Sequence, residues 1–184
     1  MISDPLFCVK GDNLKISFYY VNGDYIEYLK NIEVQKRGFT TVPNVSYGNR
    51  RKFVYGAVLE ISGRCYYVPV SSYTKAQRDN LIIKVKDHNK LISVGSLRFN
   101  YMIPVPKDCL LPLDFKSEEF SQEYKILLEK EYKFCKTNRS RIQKLAKKTY
   151  ERIISAEDEE LVRNSCMIKT LEEAHEVWEG ESLH

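Results

Sequence analysis

The feature that most constrains this chain is a change of period past its midpoint. Up to about residue 106 the apolar residues come in short runs of β-branched and aromatic side chains, broken by Gly, Pro, Asn and Asp. From Ser117 to about Ile154 they recur at helical spacing instead. Strands gathered in one part and helices in the other point to an α+β fold. At 184 residues and 43% hydrophobic, the chain can bury a core of its own. A single domain over 1–184 is expected, with its strand-rich core at about 14–106 and its helical part at about 115–180.

The first strand is read at Leu14 to Val21, from its β-formers. Asn22 can cap a short helix in which Tyr25, Ile26, Leu29 and Ile32 form one apolar stripe. Residues 35–51 read as a long loop carrying Pro43, Asn44, Ser46, Gly48 and Asn49 together with four cations. A loop of that length usually has a function. Phe53 to Ile61 and Arg64 to Val70 flank Ser62-Gly63 as a tight hairpin. Leu81 to Val85 and Leu91 to Gly95 form a second hairpin, and Leu97 to Val105 one more strand, halted by Pro104 and Pro106. Five or six short antiparallel strands suit a small half-open β-barrel decorated with helices. In the helical part, Tyr124, Leu127, Leu128, Tyr132, Cys135, Ile142, Leu145 and Ile153 share a face. Ser140 and Gln143 make a capping box, so two helices broken near Thr137 are expected. A last helix is read at Leu171 to Trp178.

The net charge of +4 hides an asymmetry: residues 1–150 carry 26 Lys and Arg against 15 Asp and Glu, and residues 151–184 carry 3 against 10. A body so basic attracts a polyanion through phosphate contacts and counterion release, and the acidic tail would avoid or border that surface. Aromatic residues make up 12% of the chain, and 13 of them are Tyr, a mixture suited to single-stranded nucleic acid. Solvated charge without a partner is the plain alternative. No apolar run approaches the roughly 20 residues of a membrane span, and Met1 to Lys10 has no signal-peptide pattern, so a cytoplasmic protein is expected. The five cysteines are scattered without a C-x-x-C pair and are read as buried or inert.

Histidine-driven cleavage is disfavoured, because His88 sits in a hairpin turn and His175 and His184 lie in the acidic tail. Metal-dependent and nucleotide-dependent chemistry is disfavoured too, for want of an H-E-x-x-H, a Walker loop, a G-x-G-x-x-G or clustered acids in the basic body. No metal and no cofactor are expected. What remains is Ser71-Ser72-Tyr73-Thr74-Lys75 directly after the strand ending at Val70, with Arg78 one turn further on. Cleavage of RNA by its own 2′-hydroxyl needs in-line positioning, donors for charge growing on the phosphate oxygens and a proton for the leaving 5′-oxygen. Serines and a lysine supply donors and positive charge, although such a cluster, taken alone, is more often a turn with solvated hydroxyls.

These residues carry a resemblance. The chain resembles the ToxN/AbiQ family of type III toxin–antitoxin systems, most closely its CptN branch. The matching stretches are Phe18-Tyr19-Tyr20-Val21-Asn22 through Tyr25-Ile26-Glu27-Tyr28-Leu29, Gly56-Ala57-Val58-Leu59-Glu60-Ile61 and Tyr67-Val68-Pro69-Val70-Ser71-Ser72. Met102-Ile103-Pro104-Val105, Glu131-Tyr132-Lys133-Phe134 and the tail from Cys166 to Glu173 continue the series in the family's order. The resemblance implies a MazF/Kid-like barrel acting as a metal-independent endoribonuclease that leaves 2′,3′-cyclic phosphate and 5′-hydroxyl ends. It implies as partners an RNA antitoxin, a pseudoknot trimmed from tandem repeats that joins toxins into a closed assembly, and cellular or phage RNA as substrate.

Position by position, the family's Thr/Ser-Ser dipeptide falls on Ser71 and Ser72. Its lysine just beyond falls on Lys75, although the family's Pro-Lys is here the longer Tyr73-Thr74-Lys75, so that Thr74 competes for the position. The resemblance further assigns a groove lysine to Lys52, a groove tyrosine to Tyr47 and the first-helix tyrosine to Tyr25. Ser72 and Lys75 are then donors to the scissile phosphate, Lys52 a phosphate clamp with a part in proton transfer, and Tyr47 a base platform. Arg50 and Arg51 beside Lys52 are candidates for phosphate contact. Tyr25 is either a stacking residue or core, since it shares its helix's apolar stripe. Lys133, Arg141, Lys144 and Lys148 fall on one helical face, which is either solvated or grips RNA outside the groove, with Lys144 and Lys148 the candidates taken for contact. Two rivals remain: a non-catalytic RNA-binding module, and a protein-interaction module using the amphipathic helices.

Overall fold

The structure, a computed structural model, describes residues 16–47 and 50–182. The expected strand at 14–21 is present as β1 (Ser17–Val21), residues 14–15 lying outside the described residues, as do Cys8 and His184. Helix α1 (Gly23–Arg37) starts where the sequence places it: the Asn22 side chain accepts from the backbone N–H of Asp24 at 2.7 Å and of Tyr25 at 3.4 Å. It runs into the segment read as loop and stops at Gly38, whose φ of 82° closes the last turn with a backbone bond to Val34. The rest of that segment contains a minimal ladder, β2 (Ser46–Tyr47) with β3 (Arg50–Arg51). Alternation over two residues is too short to signal a strand, so the sequence showed only a loop there.

The central hairpin, β4 (Val54–Ile61) and β5 (Arg64–Ser71), turns at Ser62-Gly63, both at positive φ. The second hairpin, β6 (Asn80–Asp87) and β7 (Lys90–Arg98), turns at His88-Asn89. The strand expected over Leu97 to Val105 is not continuous. β7 ends at Arg98, a 3-10 turn over Phe99–Tyr101 follows, and β8 (Ile103–Pro104) resumes the pairing. Phe99 and Asn100 are buried by that turn, and Asn100 donates to the Asn164 carbonyl at 2.9 Å, so packing against the helical part breaks the strand. β9 (Leu110–Pro112) completes the set.

Seven strands form one mixed-length antiparallel sheet in the order β6-β7-β5-β4-β1-β9, with β8 also on β5. Its two ends, β6 and β9, do not pair with each other, so what stands in place of the expected half-open barrel is an open antiparallel sheet. The central strands are apolar on both faces, as a sheet covered on both sides requires. Phe18 of β1 and Tyr66, Val68 and Val70 of β5 belong to one core, with Leu81, Ile83 and Leu97 of the second hairpin and Leu128, Ile142 and Ile153 of the helical part. Their neighbours Tyr19 and Tyr67 belong to another core, with Ile26 and Leu29 of α1 and with Leu171. Helices therefore cover both faces.

On the first face lie α2 (Gln122–Thr137) and α3 (Arg139–Ser155), broken at Asn138 as expected. The capping box does not form. Ser140 sits inside the first turn of α3, and Asn138 turns its side chain back to the Phe134 carbonyl at 2.9 Å. Ser121 caps α2, accepting from Tyr124 N–H at 3.2 Å, so the helix begins later than Ser117. On the second face α1 packs against α5 (Ile168–Ser182), longer than the span read for the last helix, and a short α4 (Glu159–Arg163) joins α3 to it. Of the cysteines, Cys109, Cys135 and Cys166 are buried and Cys65 is partly so. No described helix is long and apolar enough to cross a membrane.

Candidate functional site

The end of β5 is where the sheet changes partner. β8 covers the start of its outer edge, Tyr66 opposite Pro104 and Tyr67 opposite Ile103, while β7 covers its end, Val70 opposite Leu97 and Ser71 opposite Ser96. Ser71 is half-buried, and Ser72, Thr74 and Lys75 that follow are exposed. The turn is held by side chains bonding to backbone. Ser71 Oγ accepts from Tyr73 N–H at 3.2 Å, and the fully buried Ser96 hydroxyl donates to the Tyr73 carbonyl at 2.7 Å. Asn80 donates to the Lys75 carbonyl at 2.9 Å and accepts from Gln77 N–H at 2.9 Å. The loop therefore has a defined course although its outward side chains are solvated. The Lys75 ammonium has no carboxylate partner among the described residues.

Gly95 permits this approach of strands. A Cβ there would lie 2.6 Å from the Ser71 carbonyl oxygen and 3.4 Å from Glu131 Oε1. Glu131, on α2, is thus a buried carboxyl behind the strand end, and burial raises its pKa to about 7.

Lys52 arrives from the other side. The Val70 N–H donates to the Phe53 carbonyl at 3.1 Å, which carries the β4–β5 register beyond Val54 opposite Pro69 and leaves Lys52 next in line, facing Ser71. Lys52 N–H also donates to the Val45 carbonyl at 2.8 Å, tying the β2–β3 ladder to the same place. Arg50 and Arg51 are exposed on that ladder. The Arg51 guanidinium stacks 4.0 Å from the centroid of Tyr20, whose own pKa is raised by burial and partly offset by that cation. Tyr47 pairs with Arg50 through its backbone. Sequence-expected Ser71, Ser72, Lys75, Lys52, Arg50 and Arg51 thus lie around one strand end, with the Tyr47 backbone beside them.

Four candidates lie apart from this group, Lys144 and Lys148 on the helical face where the sequence put them. Tyr25 is fully buried, with its hydroxyl donating to the Pro104 carbonyl at 2.8 Å and its ring edge-on to Trp178. Burial pushes that hydroxyl's pKa far up, and the ring is core, with no face open for stacking. Arg78 is exposed but pairs with Asp158 at 2.8 Å; Asp158 also takes Arg152 at 2.6 Å, and Arg152 takes Asp79 at 2.9 Å. The acidic tail therefore borders the basic surface at this point, and the Arg152 guanidinium and the Leu161 N–H both bond the Asp158 carboxyl and help hold its pKa down. Lys144 and Lys148 are exposed on α3, and no hydrogen bond or ion pair joins them to the strand-end group.

Sequence reasoning passed over Arg98, Tyr73 and Glu131. A charge inside the apolar run Leu97-Arg98-Phe99 was the available signal for the first, since an arginine in a half-buried strand needs a partner. Glu131 carried a similar signal, lying on the apolar stripe of α2 between Leu128 and Cys135.

A family model described as "Toxin ToxN, type III toxin-antitoxin system" matches residues 17–176. Among curated proteins the chain is 25% identical to Endoribonuclease AbiQ of Lactococcus lactis subsp. lactis over 171 residues, 86% of this chain and 87% of that protein. It is 29% identical to Endoribonuclease ToxN of Bacillus thuringiensis subsp. kurstaki over 143 residues, 76% of this chain and 69% of that one. Among solved structures it superposes at a TM-score of 0.73 on AbiQ, a lactococcal anti-phage endoribonuclease of a type III toxin–antitoxin system. The identity there is 23%, over 90% of this chain and 99% of that chain. A bacterial type III toxin, studied for its selective inhibition by a non-coding RNA pseudoknot, gives the same TM-score and identity over 88% and 96%. At that identity the superpositions establish a shared fold.

Proposed function

The chain belongs to the ToxN toxin family of type III toxin–antitoxin systems, and from that premise we propose that it is an endoribonuclease that cuts single-stranded RNA and is restrained by an RNA antitoxin it processes itself. The observation that carries the reading is the end of β5, where Ser71, Ser72 and Lys75 follow one another in the turn and the β4–β5 pairing brings the backbone of Lys52 alongside, next to the arginines of β3. A phosphate seated there finds donors and cations from three segments of chain. In the reaction the substrate's 2′-oxygen attacks the adjacent phosphorus and loses its proton. The bond to the 5′-oxygen breaks and that oxygen takes up a proton, leaving a 2′,3′-cyclic phosphate and a 5′-hydroxyl. Ser72 and Lys75 donate to the non-bridging oxygens, Ser71 fixes the turn that presents them, and Lys52 clamps the phosphate and takes part in proton transfer. Arg50, Arg51 and Tyr47 guide the strand on one side, and Arg78 receives it on the other once Asp158 yields. Lys144 and Lys148 grip antitoxin RNA outside the cutting groove. No step in this scheme uses a metal ion.

The curated relatives are named endoribonucleases, and one superposed toxin is inhibited by an RNA pseudoknot. By that parallel this chain's partners are a pseudoknot from a tandem repeat, with which it forms a closed toxin–RNA assembly, and cellular or phage RNA. The seven-stranded open sheet is the half-open counterpart of a MazF/Kid-like barrel, the chain acts as one domain, and it works in the cytoplasm. The test is to incubate purified protein with single-stranded RNA in excess EDTA and identify the ends. Cyclic phosphate and 5′-hydroxyl ends that vanish with Ser72→Ala or Lys75→Ala support the proposal. RNA left intact with and without divalent metal removes it.

A further inference from the structure

Immediately after Ser72, where the resembling family commonly has proline, this chain has a tyrosine whose surroundings are built rather than incidental. Tyr73 is among the exposed large apolar residues, at 36% of its surface. Its backbone is fixed on both sides, the N–H by Ser71 Oγ and the carbonyl by the buried Ser96 hydroxyl. Behind it stands Arg98, with its guanidinium carbon 5.4 Å from the Tyr73 centroid and 4.3 Å from that of Tyr101. Arg98 is oriented by Gln77 Oε1 and the Tyr101 hydroxyl, each accepting from Nη2 at 3.3 Å. Its Nε is buried without a partner, and no carboxylate pairs with it among the described residues. A half-buried arginine without a counter-ion, stacked between two tyrosines at the strand end, keeps its charge available.

Resting on the nuclease reading above, we propose that Tyr73 backed by Arg98 is a stacking platform for the RNA base beside the scissile phosphate, and that it selects a purine there. The chemistry follows from the geometry. A rigid ring one residue from the candidate phosphate donor Ser72 lies within a nucleotide's reach of it. Bases stack on aromatic side chains through their π faces, with an arginine adding cation–π attraction. The two-ring purine overlaps such a surface more fully than a pyrimidine, so discrimination comes from stacking strength without any base-edge hydrogen bond. Arg98 acts by holding and polarising the ring and by attracting the neighbouring phosphate.

The experiment maps 5′-hydroxyl ends after cleavage of an RNA pool randomised around the cut. In parallel it measures the affinity of a short oligonucleotide made uncleavable by a 2′-deoxy residue at the scissile position. Wild-type protein is expected to show a purine preference at one position flanking the cut. Tyr73→Ala should lose that preference, weaken oligonucleotide binding about 5- to 100-fold and raise KM more than it lowers kcat. Tyr73→Phe should keep both preference and affinity, and Arg98→Gln should weaken binding less than Tyr73→Ala while flattening its salt dependence. Circular dichroism of each variant reports whether it has folded. If Tyr73→Ala is folded and keeps the wild-type base profile and affinity while Ser72→Ala abolishes cutting, the platform is wrong and the nuclease reading stands. If wild-type protein cuts no RNA, both fail together.

Discussion

Two regions of this molecule use polar side chains in opposite ways. Behind the sheet, the carboxylate of Glu33 on α1 is fully buried. It accepts from Arg37 at 3.0 Å, Thr40 Oγ1 at 2.8 Å, Thr41 N–H at 2.8 Å and Met167 N–H at 2.6 Å. Glu172 on α5 likewise takes the hydroxyls of Tyr66 at 2.5 Å and Tyr150 at 2.8 Å. At the end of β5 Ser72 and Lys75, the proposed donors, are exposed, and the hydrogen bonds there belong to the backbone beneath them. Saturated polar groups pin elements together; unsatisfied ones wait for a ligand. The difference separates stability from activity in the same chain.

Five changes would break or sharpen that separation. Glu33→Ala strips the α1–α5 layer of its shared acceptor and leaves Arg37 and two backbone donors short. A loss of about 3–5 kcal/mol in urea denaturation at unchanged m is expected. A loss under 1 kcal/mol would show that the buried carboxylate is dispensable. Ser72→Ala and Lys75→Ala should each lower kcat for RNA cleavage about 100- to 1000-fold while shifting stability by less than about 0.5 kcal/mol. A folded variant that cuts normally would take the residue out of the site.

Glu131 lies between the two regions, buried like Glu33 but with no hydrogen bond among the described residues, and its behaviour is set by pH. Its folded pKa, about 7, stands above the ordinary 4.5, so the native state holds the proton more tightly across that interval. Stability from this group is complete below about 4.5, declines as pH rises through 7 and is fully lost above it. Burial and, after it, the charge of Glu131 push up the pKa values of Tyr124 and Cys135 on its own helix, and across from it lies the uncharged Gly95. Glu131→Gln should therefore leave stability unchanged near pH 4 and raise it by about 3 kcal/mol at pH 8, read from denaturation midpoints. A pH-independent difference would contradict the burial argument. The smallest effect is expected of Tyr150→Phe, which removes one of two phenol donors to Glu172 and should destabilise by about 1.5 kcal/mol without changing cleavage.

Legibility followed the range of the interactions. Asn22 as a cap, Ser62-Gly63 as a turn and the break before Asn138 are local devices, and each sits where the residues alone place it. The gathering of Ser71, Ser72, Lys52 and the arginines came from strand order and resemblance, and the β4–β5 register accounts for it. What the sequence withheld depends on contacts far along the chain. Tyr25 looked equally suited to stacking and to core until Pro104 and Trp178 enclosed it. The Ser140–Gln143 pair met the capping pattern but fell inside a turn begun earlier at Asn138. Both faces of β4 and β5 are apolar, a pattern compatible with a barrel interior or a sheet between helices, and only the packing of α1 and α5 on one side and α2 and α3 on the other decides it.

The divided outer edge of β5 has a mechanical consequence. The hairpin of β6 and β7 meets the rest of the sheet along the short pairing of Val70–Ser71 with Ser96–Leu97, and it is held besides by the core it shares with α2 and α3 and by the ion pair of Arg152 with Asp79 just before it. The serine turn with Lys75, its course fixed by Ser71, Ser96 and Asn80, crosses that narrow seam. A strand of RNA lying from Arg50 to Arg98 would cross the seam as a splint. Its binding should slow amide exchange throughout the β6–β7 hairpin, including residues the RNA never touches.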